Sequence, residues 1–200
     1  MTRPLRTQGV TQPPVSIVII IVASVIFLLG NLSANLALWP LGSGRFGPWQ
    51  LISYAFLHGS LNHVFFNMFA IWMFGLQIER VWGSYRFLLY FLVCVLGAAI
   101  TQLVVQQITG AFWPTIGASG AVFGLLLAYG VMWPENRVML IFFPVPIKAK
   151  WFVVIYGAAE LIFGVTNAMP NVAHFAHLGG LFFGAGVLWR WGWRPGMTWH

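Results

Sequence analysis

The chain has 200 residues, of which 60% are hydrophobic and 6% charged, and it carries a net charge of +7. A soluble domain holds about 25% charged residues, so the composition excludes an ordinary soluble fold and points to one polytopic, all-α membrane domain. A lone Cys94 in an apolar run excludes a disulfide framework and a cysteine-based metal site, and the basic residues are spread too thinly for a nucleic-acid surface.

Six apolar segments follow in chain order, at about 15–37, 61–78, 86–108, 118–133, 148–165 and 174–192. Each is near the roughly 20 residues that cross a bilayer core. The first follows Arg3 and Arg6 but is long and lacks a clear cleavage site, so it reads as a retained anchor rather than a signal peptide. The expected layout is a short N-terminal segment over 1–14, a six-helix membrane domain over 15–192 and a tail over 193–200. Arg80 and Arg86 lie between segments two and three, Arg137, Lys148 and Lys150 between four and five, and Arg190 and Arg194 at the end of six. Only Arg45 falls on the opposite side. The positive-inside rule therefore puts both termini in the cytoplasm and the connections 1–2, 3–4 and 5–6 outside. A bacterial inner membrane is the expected location. The long connection over 38–60 holds Trp39, Pro40, Phe46, Trp49, Tyr54 and Phe56 among glycines. Such aromatics suit a loop partly embedded in the interface, although an ordinary packed loop fits the composition equally well.

Polar residues at membrane depth are costly and face a partner or a water-filled cavity. Segment two begins with His63 and has Asn67 one turn on, segment four begins with Ser119, and segment six has His174 and His177 near its start. The orientation puts all five toward the outer side. Segment four is short, about 16 residues or roughly 24 Å against a hydrocarbon core of about 30 Å. Its outer end, and Ser119 with it, is expected below the outer surface in a protein-lined, watery recess. Gly120 and Gly124 are four apart, as are Ala176, Gly180 and Gly184. Small residues at this interval let helices approach closely, which would carry His177 toward Ser119; simple bundle packing explains the glycines equally well.

These residue types permit nucleophilic chemistry. A serine hydroxyl needs a base, most often histidine, and the oxyanion it generates needs pre-aimed donors. The Ser119 amide at a helix start, with the side chains of His63 and Asn67, could supply them. The chain has no aspartate, and of Glu79, Glu135 and Glu160 only Glu160 lies on the outward half of its segment. A Ser119–His177 pair is therefore expected, with Glu160 in a structural role and His174 supporting or lining the cavity. There is no H-E-x-x-H pattern, so no metal is expected, nor any other cofactor.

Gly117-Ala118-Ser119-Gly120, His63-Val64-Phe65-Phe66-Asn67, Ala176-His177-Leu178-Gly179-Gly180, and Glu79-Arg80 followed by Gly83-Ser84 stand in the order and spacing of one family. Over nearly its whole length the chain resembles the rhomboid intramembrane serine proteases. The resemblance implies a six-helix rhomboid-like bundle in the minimal core form, with Ser119 as nucleophile and His177 as general base and acid. It also implies an oxyanion hole of His63, Asn67 and the Ser119 amide, with Gly117 shaping the adjoining loop. Its substrates would be single-pass transmembrane proteins, cut near the outer end of the spanning helix. Segment five and a cap around 166–173 would control access. Two positions depart from the family's common pattern. Trp49-Gln50 stands where Trp-Arg is frequent, which bears on loop stability, and Phe123 stands where Tyr is frequent, which bears on the positioning of His177. A noncatalytic relative that binds transmembrane clients is the alternative. The scarcity of acidic residues and lack of internal repeats argue against a transporter.

Overall fold

The computed structural model describes residues 14–31, 33–140, 143–166, 168–169 and 172–193. Arg3, Arg6 and Arg194, and the cap positions Asn167, Pro170 and Asn171, lie outside the described residues. The described chain is mostly helical. Its principal helices are α1 (Val15–Leu28), α2 (Leu61–Trp82), α3 (Ser84–Thr109), α4 (Ser119–Met132), α5 (Ala149–Thr166) and α6 (His174–Arg190). Three of them, α2, α3 and α5, are long and apolar enough to cross a membrane; α1 and α4 are apolar but shorter, at 14 residues each.

α1 ends nine residues before the expected end of the first segment, at Leu28 rather than 37. Gly30 and Asn31 have φ of 74° and 60°, a left-handed turn that stops a helix. Asn31 then ties the start of the 1–2 connection to its end: its Nδ2 donates to the His58 carbonyl (2.9 Å) and its Oδ1 accepts the His58 N–H (3.1 Å). Between these points the chain packs as short helical turns around Gln50, which is fully buried. The Gln50 amide donates to the carbonyls of Asn35 (2.9 Å) and Arg45 (2.8 Å), and its oxygen accepts the Trp39 N–H (3.0 Å). One side chain thereby holds three backbone groups of the loop, and the Asn35 carbonyl also accepts the Trp49 indole N–H (3.0 Å).

α2 runs on to Trp82 with a π-helical turn at Ile71–Gly75. Near its end Glu79, buried in an apolar surround, accepts four hydrogen bonds: from the Val15 N–H (2.7 Å), the Ser16 N–H (2.9 Å), the Ser16 hydroxyl (2.5 Å) and the Ser84 hydroxyl (2.6 Å). One carboxylate thus caps the start of α1 and clasps the start of α3. The Glu79 and Ser84 of the family-like motif are the two ends of this clasp.

The 4–5 connection was read from the sequence only as the stretch that carries Arg137, Lys148 and Lys150. It contains an antiparallel hairpin, β1 (Arg137–Leu140) and β2 (Phe143–Lys148), with Arg137 opposite Lys148 and Val138 opposite Ile147. Glu135 beside it pairs with Lys148 (2.7 Å) and with Lys150. Hydrogen bonds from these two ammonium groups hold its carboxyl down at about 2.

The centre of the molecule is the junction of α3, α4 and α6. Gly120 and Gly180 face each other so closely that a Cβ on Gly180 would overlap the Gly120 backbone, while one on Gly124 would lie 3.3 Å from the Gly180 carbonyl oxygen. Tyr90 of α3, also buried, donates its hydroxyl to the Gly124 carbonyl (2.7 Å). The small-residue spacing read from the sequence is therefore the contact between α4 and α6.

Candidate active site

Ser119 is the first residue of α4. The close α4–α6 contact brings His177 across to it, and the Ser119 Oγ lies 2.6 Å from His177 Nε2. Phe123, one turn along α4, stacks on the His177 ring with centroids 4.6 Å apart and planes 10° from parallel. Its flat face fixes the imidazole plane with no hydroxyl at that position. The buried Tyr54 holds the loop leading into α4: its hydroxyl donates to the Val95 carbonyl (2.8 Å) and its carbonyl accepts the Gly117 N–H (2.9 Å). Gly117 itself has φ of +119°, a conformation that L side chains rarely adopt.

His63 sits above this loop. Ser60 caps α2 by accepting the His63 N–H on its hydroxyl (3.2 Å). The His63 Nδ1 accepts the Gly59 N–H at 3.4 Å, which leaves the ring hydrogen on Nε2. That nitrogen faces Gly117 so closely that a Cβ there would lie 2.6 Å away. His58 abuts His63 edge-on, with ring centroids 4.9 Å apart. Burial, and secondarily the neighbouring His63, push the His58 imidazole down to about 4, so it packs as a neutral ring. Asn67 stands one turn deeper than His63; its amide donates to the His63 carbonyl (2.8 Å). It is buried and does not line the cavity that holds Ser119.

That cavity measures about 830 Å³ and takes in His63, Ser119, His174 and His177. On the far side of His177 is a carboxylate. His174 Nδ1 donates to Glu160 Oε2 at 2.6 Å, and His174 Nε2 meets the Met169 carbonyl at 3.1 Å. The same Glu160 oxygen lies 2.9 Å from His177 Nδ1, but off the line a hydrogen bond needs, so this is a close approach without a hydrogen bond. Glu160, His174 and His177 offer ligand atoms within 4.8 Å of one another and are, among the described residues, a set that could hold a metal ion; the same atoms are engaged with each other here.

Residues 45–194 match the family model described as Rhomboid domain. The chain belongs to the rhomboid family. It is 36% identical over 148 residues to Rhomboid protease GluP of Bacillus subtilis, covering 70% of this chain and 26% of that protein. It is 29% identical over 144 residues to the mitochondrial Rhomboid protein 1 of Saccharomyces cerevisiae, covering 71% and 41%. It is also 32% identical over 136 residues to the human Presenilin-associated rhomboid-like protein, mitochondrial, covering 64% and 34%. The chain thus spans between about a quarter and two fifths of these relatives' lengths. Family and apolar helices together make it a membrane protein. The named relatives divide between a bacterial and two mitochondrial proteins, so they do not support the expected bacterial inner membrane.

Within this rhomboid chain the two departures have structural answers. Gln50 braces its loop through three hydrogen bonds, and Phe123 stacks on the His177 ring. Gln102 and Gln106 also line the cavity, and sequence reasoning missed them. The signal was available: two amides at i, i+4 share one face of an otherwise apolar helix. Gln106 Nε2 donates to the Trp113 carbonyl (2.9 Å) and reaches Thr115 Oγ1 (3.4 Å). Glu160 was expected in a structural role, as the one glutamate able to approach the site; it lies against His174 and His177, 14 and 17 positions later on another helix, a proximity that no spacing rule gives.

Proposed function

We propose that this rhomboid is an intramembrane serine endopeptidase that hydrolyses peptide bonds in the outer part of single-pass transmembrane substrates. The observation that carries the reading is the 2.6 Å contact between Ser119 Oγ and His177 Nε2 at the wall of an open cavity. In the reaction, His177 Nε2 takes the Ser119 proton as Oγ attacks the scissile carbonyl. The Ser119 amide and the Nε2–H of His63 donate to the oxyanion. The Asn67 amide gives one of its two N–H groups to the His63 carbonyl and has the second to offer the oxyanion. Collapse of the tetrahedral species passes the proton from His177 to the leaving amine and leaves an acyl-enzyme. Water, deprotonated by the same His177, then releases the acid. No cofactor takes part.

Six crossings with both termini cytoplasmic and the cavity opening outward fit the basic residues. At 14 residues α4 is about 21 Å long at 1.5 Å per residue, several ångströms less than the hydrocarbon core of about 30 Å. A start on the outer side then leaves Ser119 below the headgroups, at the depth where a substrate helix meets water.

Ser119→Ala and His177→Ala are each expected to abolish labelling by a fluorophosphonate probe and cleavage of a transmembrane substrate, while the melting temperature in detergent is preserved. Cleavage retained by purified Ser119→Ala protein would end this reading. A wild-type protein that takes up no probe would favour a noncatalytic protein that binds transmembrane clients.

A further inference from the structure

Glu160 is one of three glutamates in the chain, and the proposed chemistry assigns it nothing. It is carried on α5, whose buried residues, Ala149 and Phe152, both lie in its first turn. Only 11% of its most apolar stretch is buried, against 50% for α3. Beyond that first turn, α5 meets α6 through few groups. Gly157 lies over Leu181, Gly164 rests on His174 and Phe175, and Glu160 bonds His174. The Glu160 side chain is nonetheless largely shielded, at 13% exposure, between two histidines at 6% and 10%. A shielded carboxylate without such partners would be costly, so its placement needs a reason.

We propose that Glu160 is a positioning residue for His177, held in place by His174, so that the Ser119–His177 pair has a carboxylate behind it when α5 is seated on α6. The inference rests on the serine-protease reading. Glu160 Oε2 already lies 2.9 Å from His177 Nδ1, and apo geometries of this kind tighten when substrate binds. A small rotation of the imidazole within its Phe123 stack would bring the Nδ1–H onto that oxygen. The carboxylate then selects the tautomer with Nδ1 protonated, which leaves Nε2 free to take the Ser119 proton. It also stabilises the imidazolium that results. His174 supplies the second anchor, since its Nδ1 donates to the same oxygen while its Nε2 meets the Met169 carbonyl. Because Glu160 travels with α5, outward movement of that helix withdraws the acid from the base. Seating of α5 and alignment of His177 are one event.

The test compares fluorophosphonate labelling rates of purified wild type, Ser119→Ala, Glu160→Gln and Glu160→Ala, each with its melting temperature. Glu160→Gln keeps size and polarity but loses the charge, and its saturating labelling rate is expected to fall on the order of tenfold to a hundredfold with little change in the half-saturating probe concentration. Glu160→Ala is expected to fall at least as far and to recover, in proportion to concentration, when formate is added to occupy the vacated space. A Glu160→Gln variant that labels at the wild-type rate overturns the proposal and leaves the protease reading intact. A loss that formate does not restore assigns Glu160 to bracing α5 alone and also overturns it. Labelling absent in the wild type itself brings down the underlying protease reading instead.

Discussion

Gly117 couples two demands that no other residue type meets together. Its φ of +119° is strained for any side chain, and the space where a Cβ would go is taken by His63 Nε2. Gly117→Ala must therefore either shift the loop under Ser119 or push the His63 ring away from the cavity. A loss of roughly a hundredfold in probe-labelling rate is expected, the scale of one missing oxyanion donor. A melting change of about 1–3 kcal/mol should accompany it, the scale of one strained backbone position. Unchanged labelling by Gly117→Ala would remove His63 from the proposed reaction. At this scale the sequence was unevenly informative. Ser119, His177 and His63 stood out because each is a polar group at the start of an apolar segment. Asn67 shares the face of His63 by spacing, and one of its two amide N–H groups goes to the i−4 carbonyl of its own helix, which is always within reach of a helical asparagine. That hydrogen bond does not show in a one-dimensional pattern.

Among elements, the α4–α6 crossing sets the distance from Ser119 to His177. Gly180 has no room for a side chain against the Gly120 backbone. Gly180→Val is expected to cost about 1–3 kcal/mol or more as an overpacked contact, and to lower labelling by separating Ser119 from His177. Thermal melting and probe kinetics measured on the same preparation check both effects. A variant that melts lower but labels normally would show that the crossing stabilises the bundle without setting the site. This contact was legible because small residues four apart have few other uses in membrane helices. The hairpin β1–β2 was not legible. Its residues Val138-Met139-Leu140 and Val145-Pro146-Ile147 are apolar without a helical length, and they lie between basic residues that had already been explained by orientation. The early end of α1 was missed for a related reason. Leu36, Ala37 and Leu38 extend the apolar run, but Gly30 and Asn31 turn the backbone left-handed before it is complete.

For the whole molecule, the proposed reaction requires that the cavity open on the outer side, where the proposed substrate helices would end. The basic residues Arg80, Arg86, Arg137, Lys148, Lys150 and Arg190 all flank one set of helix ends. Ser119, His63 and His174 stand at the opposite ends of their helices. The positive-inside bias is a statement about short loops and does not depend on the fold inside the bilayer, so it is open to a direct check. The only cysteine, Cys94, is fully buried and gives little background to a thiol reagent. Gly42→Cys would place a thiol in the 1–2 connection, where nothing lies within 4 Å of a new Cβ. Asn136→Cys would place one at the exposed lead into the hairpin. In intact bacterial cells expressing the protein, a membrane-impermeant maleimide is expected to label Gly42→Cys and to leave Asn136→Cys untouched until the cells are permeabilised. The opposite pattern would turn the cavity to the cytoplasm. The clasp of Glu135 with Lys148 and Lys150 would then face outward, and the depth argument for Ser119 would have to be made from the other leaflet.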